Sequence, residues 1–145
     1  MHFNGLNEQR KFQGWLEESS AKRYIDRELY RLKRYGCPVT IGMCRCGDPQ
    51  FEKKFDAYSR RTDHLVRLAE GHYIFLFDHT EIPGAVKATE NLMLHMELHN
   101  EKNRVAITQL HPDDDLDSAL KRLLTLFVIA SKSDSLIVDD SVLSH

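Results

Sequence analysis

Two short runs of strand-forming residues, His64 to Ala69 and Tyr73 to Asp78, stand mid-chain with only Glu70-Gly71-His72 between them. So short a connection pairs neighbouring strands antiparallel, as a hairpin, because a parallel crossover needs a dozen residues or more. Segments of helical period flank this hairpin. Phe12, Trp15 and Leu16, then Tyr24, Ile25, Leu29 and Leu32, follow helical spacing from about Lys11 to Tyr35. Gly36 and Pro38 supply a stop. Val39 to Cys46 is apolar and β-branched and predicts a buried strand. Asp48 and Pro49 can then cap and open a helix that carries Phe51, Phe55 and Tyr58 inward.

Beyond the hairpin, Pro83 opens a helix with Val86, Leu92, Met93 and Met96 as core positions. Arg104 to Leu110 alternates as a strand. Asp113 to Asp115 form an acidic loop and helix start, followed by a helix over Leu116 to Ala130 and a short strand at Leu136 to Val138. The order α-β-α-β-β-α-β-α-β predicts an α/β (α+β) fold with about five strands in a mixed sheet and helices flanking it. No repeat or Pro/Gly/Ser linker interrupts the 145 residues, so one domain is expected over 1–145.

Composition narrows the function classes. Twenty basic residues face 22 acidic ones, a net charge of −2, which disfavours a broad grip on nucleic acid. The apolar run Leu123 to Ala130 is too short to cross a bilayer, and no signal-peptide pattern opens the sequence. Three cysteines without framework spacing (Cys37, Cys44, Cys46) point to reduced thiols and a cytoplasmic setting.

Several strings carry a resemblance. Phe3-Asn4-Gly5-Leu6 and Arg10-Lys11-Phe12 stand where one family has D-x-L-T-G-L-x-N-R-R-x-F. Lys33-Arg34-Tyr35-Gly36-Cys37-Pro38-Val39 matches R-Y-G-x-P-hydrophobic. Asp63-His64-Leu65-Val66-Arg67-Leu68 matches D-x-V-A-R-hydrophobic. In order and spacing these strings resemble the GGDEF domain of bacterial diguanylate cyclases, over nearly the whole chain. The resemblance implies a palm-like nucleotide-cyclase fold.

It also implies a degenerate member. The signature Gly-Gly-Asp/Glu-Glu-Phe reads Ala69-Glu70-Gly71-His72-Tyr73, which puts the Glu70 carboxylate where substrate phosphates approach a glycine. Arg45 and Gly47 occupy the places of metal-binding aspartates, and phosphoryl transfer relies on such hard oxygen ligands. Asp48 to Arg61 leaves room for one helix where the family has two, which removes the part that reads guanine. Neither cyclase activity nor a metal or other cofactor is therefore expected. An enzymatic reading through displaced ligands such as Asp48 and Glu70 ranks last.

Active family members often carry an Arg-x-x-Asp site for the product, cyclic di-GMP, five residues before the signature. Arg60-Arg61-Thr62-Asp63 stands in that register. On the resemblance, Arg60 would hold the guanine edge and Asp63 would accept from its N1 side. Arg61 or Lys87 would offset phosphate charge, with Asn91 aligning closest to the family's second basic position. The expectation is an inactive signalling domain that binds cyclic di-GMP and acts through a protein partner or a homodimer. The alternative is a nucleotide-independent interaction scaffold.

Other groupings favour packing. His95 and His99 are one helical turn apart but lack the third and fourth ligands of a zinc site. Cys44 and Cys46 share a strand face and read as core. His72, Asp78 and His79 gather near the hairpin without a nucleophile or base to make them catalytic.

Overall fold

A computed structural model describes residues 5–96 and 103–143. Its elements are α1 (Gly5–Glu18), α2 (Ala21–Tyr35), β1 (Val39–Arg45), α3 (Phe51–Tyr58), β2 (His64–Ala69), β3 (His72–Asp78), α4 (Ile82–Met93), β4 (Arg104–Gln109), α5 (Leu116–Ser131), β5 (Ile137–Val138) and a 3₁₀ turn (Asp140–Leu143). The strands form one sheet in the order β2-β3-β1-β4-β5. β1 runs antiparallel to both β3 and β4, and β5 joins β4 in parallel. The expected mixed five-stranded sheet with flanking helices is the architecture observed.

Strand alternation distributes the core over both faces. Val39, Ile41, Met43, Ile74, Leu76 and Ala106 face α1, α2 and α5. Cys44, Tyr73, Phe75, Phe77, Val105 and Ile107 face α3 and α4. With both faces covered, the central strands read as near-continuous apolar runs. Gly42 makes room for this packing. It pairs directly with Phe75, and a Cβ at Gly42 would lie within 2.2 Å of the Phe75 ring.

The single helix expected from Lys11 to Tyr35 is two helices, interrupted at Ser19 and Ser20. The Ser19 hydroxyl donates to the Leu16 carbonyl (3.1 Å) and accepts from the Ala21 N–H (3.2 Å), giving the backbone local partners in place of helical ones. Periodicity alone does not register that exchange. The stop at Gly36 is as expected: it adopts φ +72° and its N–H closes on the Leu32 carbonyl at 2.8 Å. α3 starts at Phe51, later than Pro49, because Asp48 turns the chain by accepting from the Gln50 N–H at 2.8 Å. Phe3, Asn4 and His99 lie outside the described residues.

The acidic run 113–115 divides its work. Asp115 caps α5 reciprocally with Ser118. Asp114, expected as solvated loop, is buried and holds Arg122 through two hydrogen bonds of 2.9 and 2.7 Å. Arg122 also donates to Thr108 and to the Gln109 carbonyl, and the Asp140 carboxylate accepts from Thr108 and the Gln109 N–H. This network fastens the start of α5 and the 3₁₀ turn to β4.

Candidate functional site

Arg60 follows α3 at a point where Ser59 turns the chain into extended backbone. The Asp63 N–H closes on the Arg60 carbonyl at 3.0 Å, and the Asp63 carboxylate accepts from the Arg60 N–H at 2.8 Å. The two residues named by the Arg-x-x-Asp string therefore form one tight turn. The Arg60 guanidinium folds back over it: Nη2 donates to Asp63 Oδ1 (2.9 Å), to the Asp78 carbonyl (2.8 Å) and to Thr80 Oγ1 (2.6 Å). One arginine thus joins the start of β2 to the end of β3. Its side chain remains 54% exposed, whereas that of Asp63 is 3% exposed.

Three openings meet at Arg60. The first, about 450 Å³, contains Arg61, Asp63 and His64. The second, about 610 Å³, contains His79, Lys87 and Asn91. Between them a small cleft of about 100 Å³ is walled by Tyr58, Phe77 and Leu92. Arg60 lines all three. Arg61 and Lys87 are thus both brought beside Arg60, on different sides of it.

Thr80, Asp78 and His79 complete this neighbourhood, and the sequence reading did not assign them to it. His79 has φ +52°, the left-handed region that non-glycine residues rarely occupy. The Asp78 carboxylate accepts from Arg31 Nη1 at 3.1 Å, and the same nitrogen reaches the buried Glu28 at 3.2 Å. The end of β3 is therefore held by Arg60 through its carbonyl and by α2 through its side chain. The Asp78 at the close of the β3 run was the one signal available, and it names no partner.

The signature hairpin forms a second site. Glu70 and Gly71 make the turn, with Gly71 at φ +72°, and Ala69 pairs with His72. The Gly71 carbonyl accepts from the Cys46 N–H at 2.9 Å, which draws the turn against the end of β1. Beside it lies an open pocket of about 520 Å³ lined by Arg45, Asp48, Glu52, Arg67, Glu70 and His72 among others. Arg45 pairs with His72 on one side and with Arg104 on the other in the sheet register. Burial and the Arg104 charge lower the pKa of the Arg45 guanidinium, and Glu8 opposes them.

Asp48 is buried and bonded to Lys54 Nζ at 2.7 Å. The His72 ring lies 4.7 Å from that of Trp15, and its Nδ1 is 3.0 Å from the Glu70 carbonyl. Burial lowers the His72 pKa. The Glu70 carbonyl opposes the shift, while the charges of Arg45 and Lys11 reinforce it. Among the described residues, no three His, Cys, Asp or Glu side chains are grouped so as to hold a metal ion.

One expected grouping is not formed. His72 and Asp78 sit at opposite ends of β3, about 20 Å apart at strand rise, so no cluster forms at the hairpin. His95 lies beyond α4 and its ring stacks on Tyr58 with centroids 3.8 Å apart; His99 of the same sequence pair lies outside the described residues. Cys44 and Cys46 are free and buried, as read from their shared face.

Among the described residues, no helix is long and apolar enough to cross a membrane. Comparison with protein-family models and with curated proteins finds no match. Solved structures do match. A microbial GGDEF domain, described for its interaction with bis-(3′,5′)-cyclic di-GMP, superposes with TM-score 0.64 at 10% identity, over 83% of this chain and 91% of that one. The diguanylate cyclase SiaD from Pseudomonas aeruginosa, in complex with its activator SiaC, gives TM-score 0.61 at 14% identity, over 81% of this chain. PelD from Pseudomonas aeruginosa PA14, in complex with c-di-GMP, gives 0.53 at 19% identity, again over 81%. The chain spans 57% of the SiaD chain and 47% of the PelD chain. At these identities the likeness is one of fold: this chain is folded as a GGDEF diguanylate cyclase domain is.

Proposed function

We propose that this chain is a signalling domain that binds cyclic di-GMP at Arg60 and does not synthesise it. One observation carries the reading: an arginine in the register of the family's product site is held rigidly on its Nη2 side, half exposed, where openings containing Arg61 and Lys87 converge. An oriented guanidinium can donate to guanine O6 and N7 or stack on the purine, and flanking cations offset two phosphates. PelD and two GGDEF domains among the structural neighbours are described with the same ligand, which supports the assignment. In this arrangement Asp63 serves first to aim Arg60, since its buried carboxylate is already engaged by it.

The absence of synthesis rests on the hairpin pocket. Arg45 and Gly47 stand where the family places metal ligands, and the nearby Asp48 is buried against Lys54. A cation at Arg45 opposes Mg²⁺, and phosphoryl transfer without metal lacks its main source of charge neutralisation. His79, Lys87 and Asn91 provide the surface on which the second half of the dinucleotide would rest.

Isothermal calorimetry with cyclic di-GMP on the intact chain and on Arg60→Ala tests the reading. Heat from the parent that disappears in the variant is the expected outcome. Silence from the parent overturns it and leaves a scaffold. Incubation with GTP and Mg²⁺ or Mn²⁺, followed by chromatography, is expected to yield no cyclic dinucleotide.

A further inference from the structure

The Asp63 carboxylate is already engaged: its side chain is 3% exposed, and it accepts from the Arg60 N–H at 2.8 Å and from the Arg60 guanidinium at 2.9 Å. A guanine whose O6 and N7 face Arg60 still carries two donor groups, N1–H and N2–H₂, along its neighbouring edge. Donors that lose water without gaining an acceptor weaken binding, so that edge needs a partner other than Asp63. Asn91 has the chemistry for it, because its amide carbonyl oxygen accepts up to two hydrogen bonds. Asn91 is exposed, and it lines both the small cleft beside Arg60 and the larger opening that contains Lys87.

The same cleft has an aromatic wall. Tyr58 ends α3 two positions before Arg60, is 51% exposed, and lines the cleft with the buried Phe77 and Leu92. His95, in the turn beyond α4, covers one face of the Tyr58 ring, with centroids 3.8 Å apart and planes within 4° of parallel. His95 is not among the residues that line the cleft, so a flat ligand there meets the part of Tyr58 that His95 leaves uncovered. At about 100 Å³ the cleft is smaller than the roughly 150 Å³ that encloses a benzene ring, so it does not enclose a purine. A base would instead lie across its mouth, with Phe77 and Leu92 excluding water beneath it.

On the reading of Arg60 as a cyclic di-GMP site, we infer that this cleft seats one guanine of the dinucleotide, its face on Tyr58 and its N1–H and N2–H₂ donated to the Asn91 carbonyl oxygen. Stacking on tyrosine tolerates any base, because every base has a π-face. Selection for guanine comes from Arg60 and Asn91 acting on neighbouring edges. Adenine would turn its N6–H₂ toward the guanidinium, donor against donor. With the base at the cleft, the adjoining opening and its Lys87 receive the phosphates.

Calorimetry of the full chain with cyclic di-GMP, together with the proton spectrum of the bound dinucleotide, tests this. Tyr58→Leu is expected to weaken binding about 10-fold, the loss of one base stack, and Tyr58→Phe to restore most of that loss. The guanine H8 signal should move upfield on binding, under the ring current of Tyr58, and lose that shift in Tyr58→Leu. The analogue with hypoxanthine in place of guanine lacks only the 2-amino groups. It is expected to bind the parent about 5-fold more weakly than cyclic di-GMP, and Asn91→Ala is expected to erase that difference. Tyr58 and Asn91 are both exposed, so circular dichroism should be unchanged. Heat from the parent that Arg60→Ala abolishes and Tyr58→Leu leaves unmoved overturns the guanine seat and keeps the Arg60 site. So does a preference for the 2-amino group that survives in Asn91→Ala. Silence from the parent overturns both.

Discussion

The carboxylate of Asp63 accepts from the backbone N–H of Arg60 at 2.8 Å and from its guanidinium at 2.9 Å, so the acid of the pair fixes both the turn and the direction of the base. Asp63→Asn keeps an acceptor but loses the charge. Because Arg60 is half exposed, the ion pair is screened, and a stability loss of about 1 kcal/mol is expected in urea unfolding. Affinity for cyclic di-GMP should fall by about 10-fold, the cost of a loosened arginine. Unchanged affinity would show that Arg60 keeps its aim without Asp63.

Asp114 gives the fold an acid-sensitive fastening. Burial alone would raise its pKa. The bonds from Arg122, the His111 N–H and Ser118 outweigh burial and lower it to about 2, from the ordinary 3.8. A folded-state pKa below the unfolded one means that the unfolded chain takes up the proton first. The contribution is therefore complete above about pH 4 and is lost as pH falls toward 2. Asp114→Asn should cost roughly 3 kcal/mol at neutral pH, because it leaves Arg122 partly buried without its partner. The variant should also show a shallower stability decline between pH 4 and 2. Urea midpoints at pH 7 measure the first effect, and midpoints between pH 4 and 2 measure the second.

Gly42→Ala should destabilise by about 1–3 kcal/mol, the range for overfilling a packed core, because the new methyl group meets the Phe75 ring. Adding Phe75→Leu should recover part of the loss. Thermal unfolding of the single and double variants decides the matter. Equal losses in the two would mean that the collision is not with that ring.

His72 titrates below its ordinary 6.5, first because it is half-buried, and further because Arg45 and Lys11 repel another positive charge, although the Glu70 carbonyl favours the proton. The unfolded chain again binds the proton first, so stability should fall as pH drops below about 6.5, through the folded-state value. Trp15 is the single tryptophan and its ring lies 4.7 Å from the imidazole, so its fluorescence reports the titration directly. A midpoint under 6.5 that vanishes in His72→Phe is expected. A midpoint at or above 6.5 contradicts the assignment.

What the sequence disclosed follows the range of the forces involved. The hairpin, the stop at Gly36 and the capped start of α5 depend on neighbours within a few residues, and each could be read locally. The burial of β1 was legible from its apolar and β-branched composition. The break at Ser19 was hidden because apolar spacing continues across it. Arg31 reaches Asp78 across 47 positions, and Arg60 reaches Thr80 across 20. Such pairs exist only once the sheet is assembled. Asp63 was singled out by register, but that its carboxylate turns inward to Arg60 emerges only from the folded geometry.

The two outer strands of the sheet differ in a way that bears on handling the protein in quantity. β5 is two residues long, and β2 is thrown out of register between Arg67 and Ala69. Neither offers a long, straight row of unpaired amides onto which a stranger's strand could template. A chain with so apolar an interior is thereby guarded against amyloid-like stacking at its margins, and concentrated solutions should remain free of fibres.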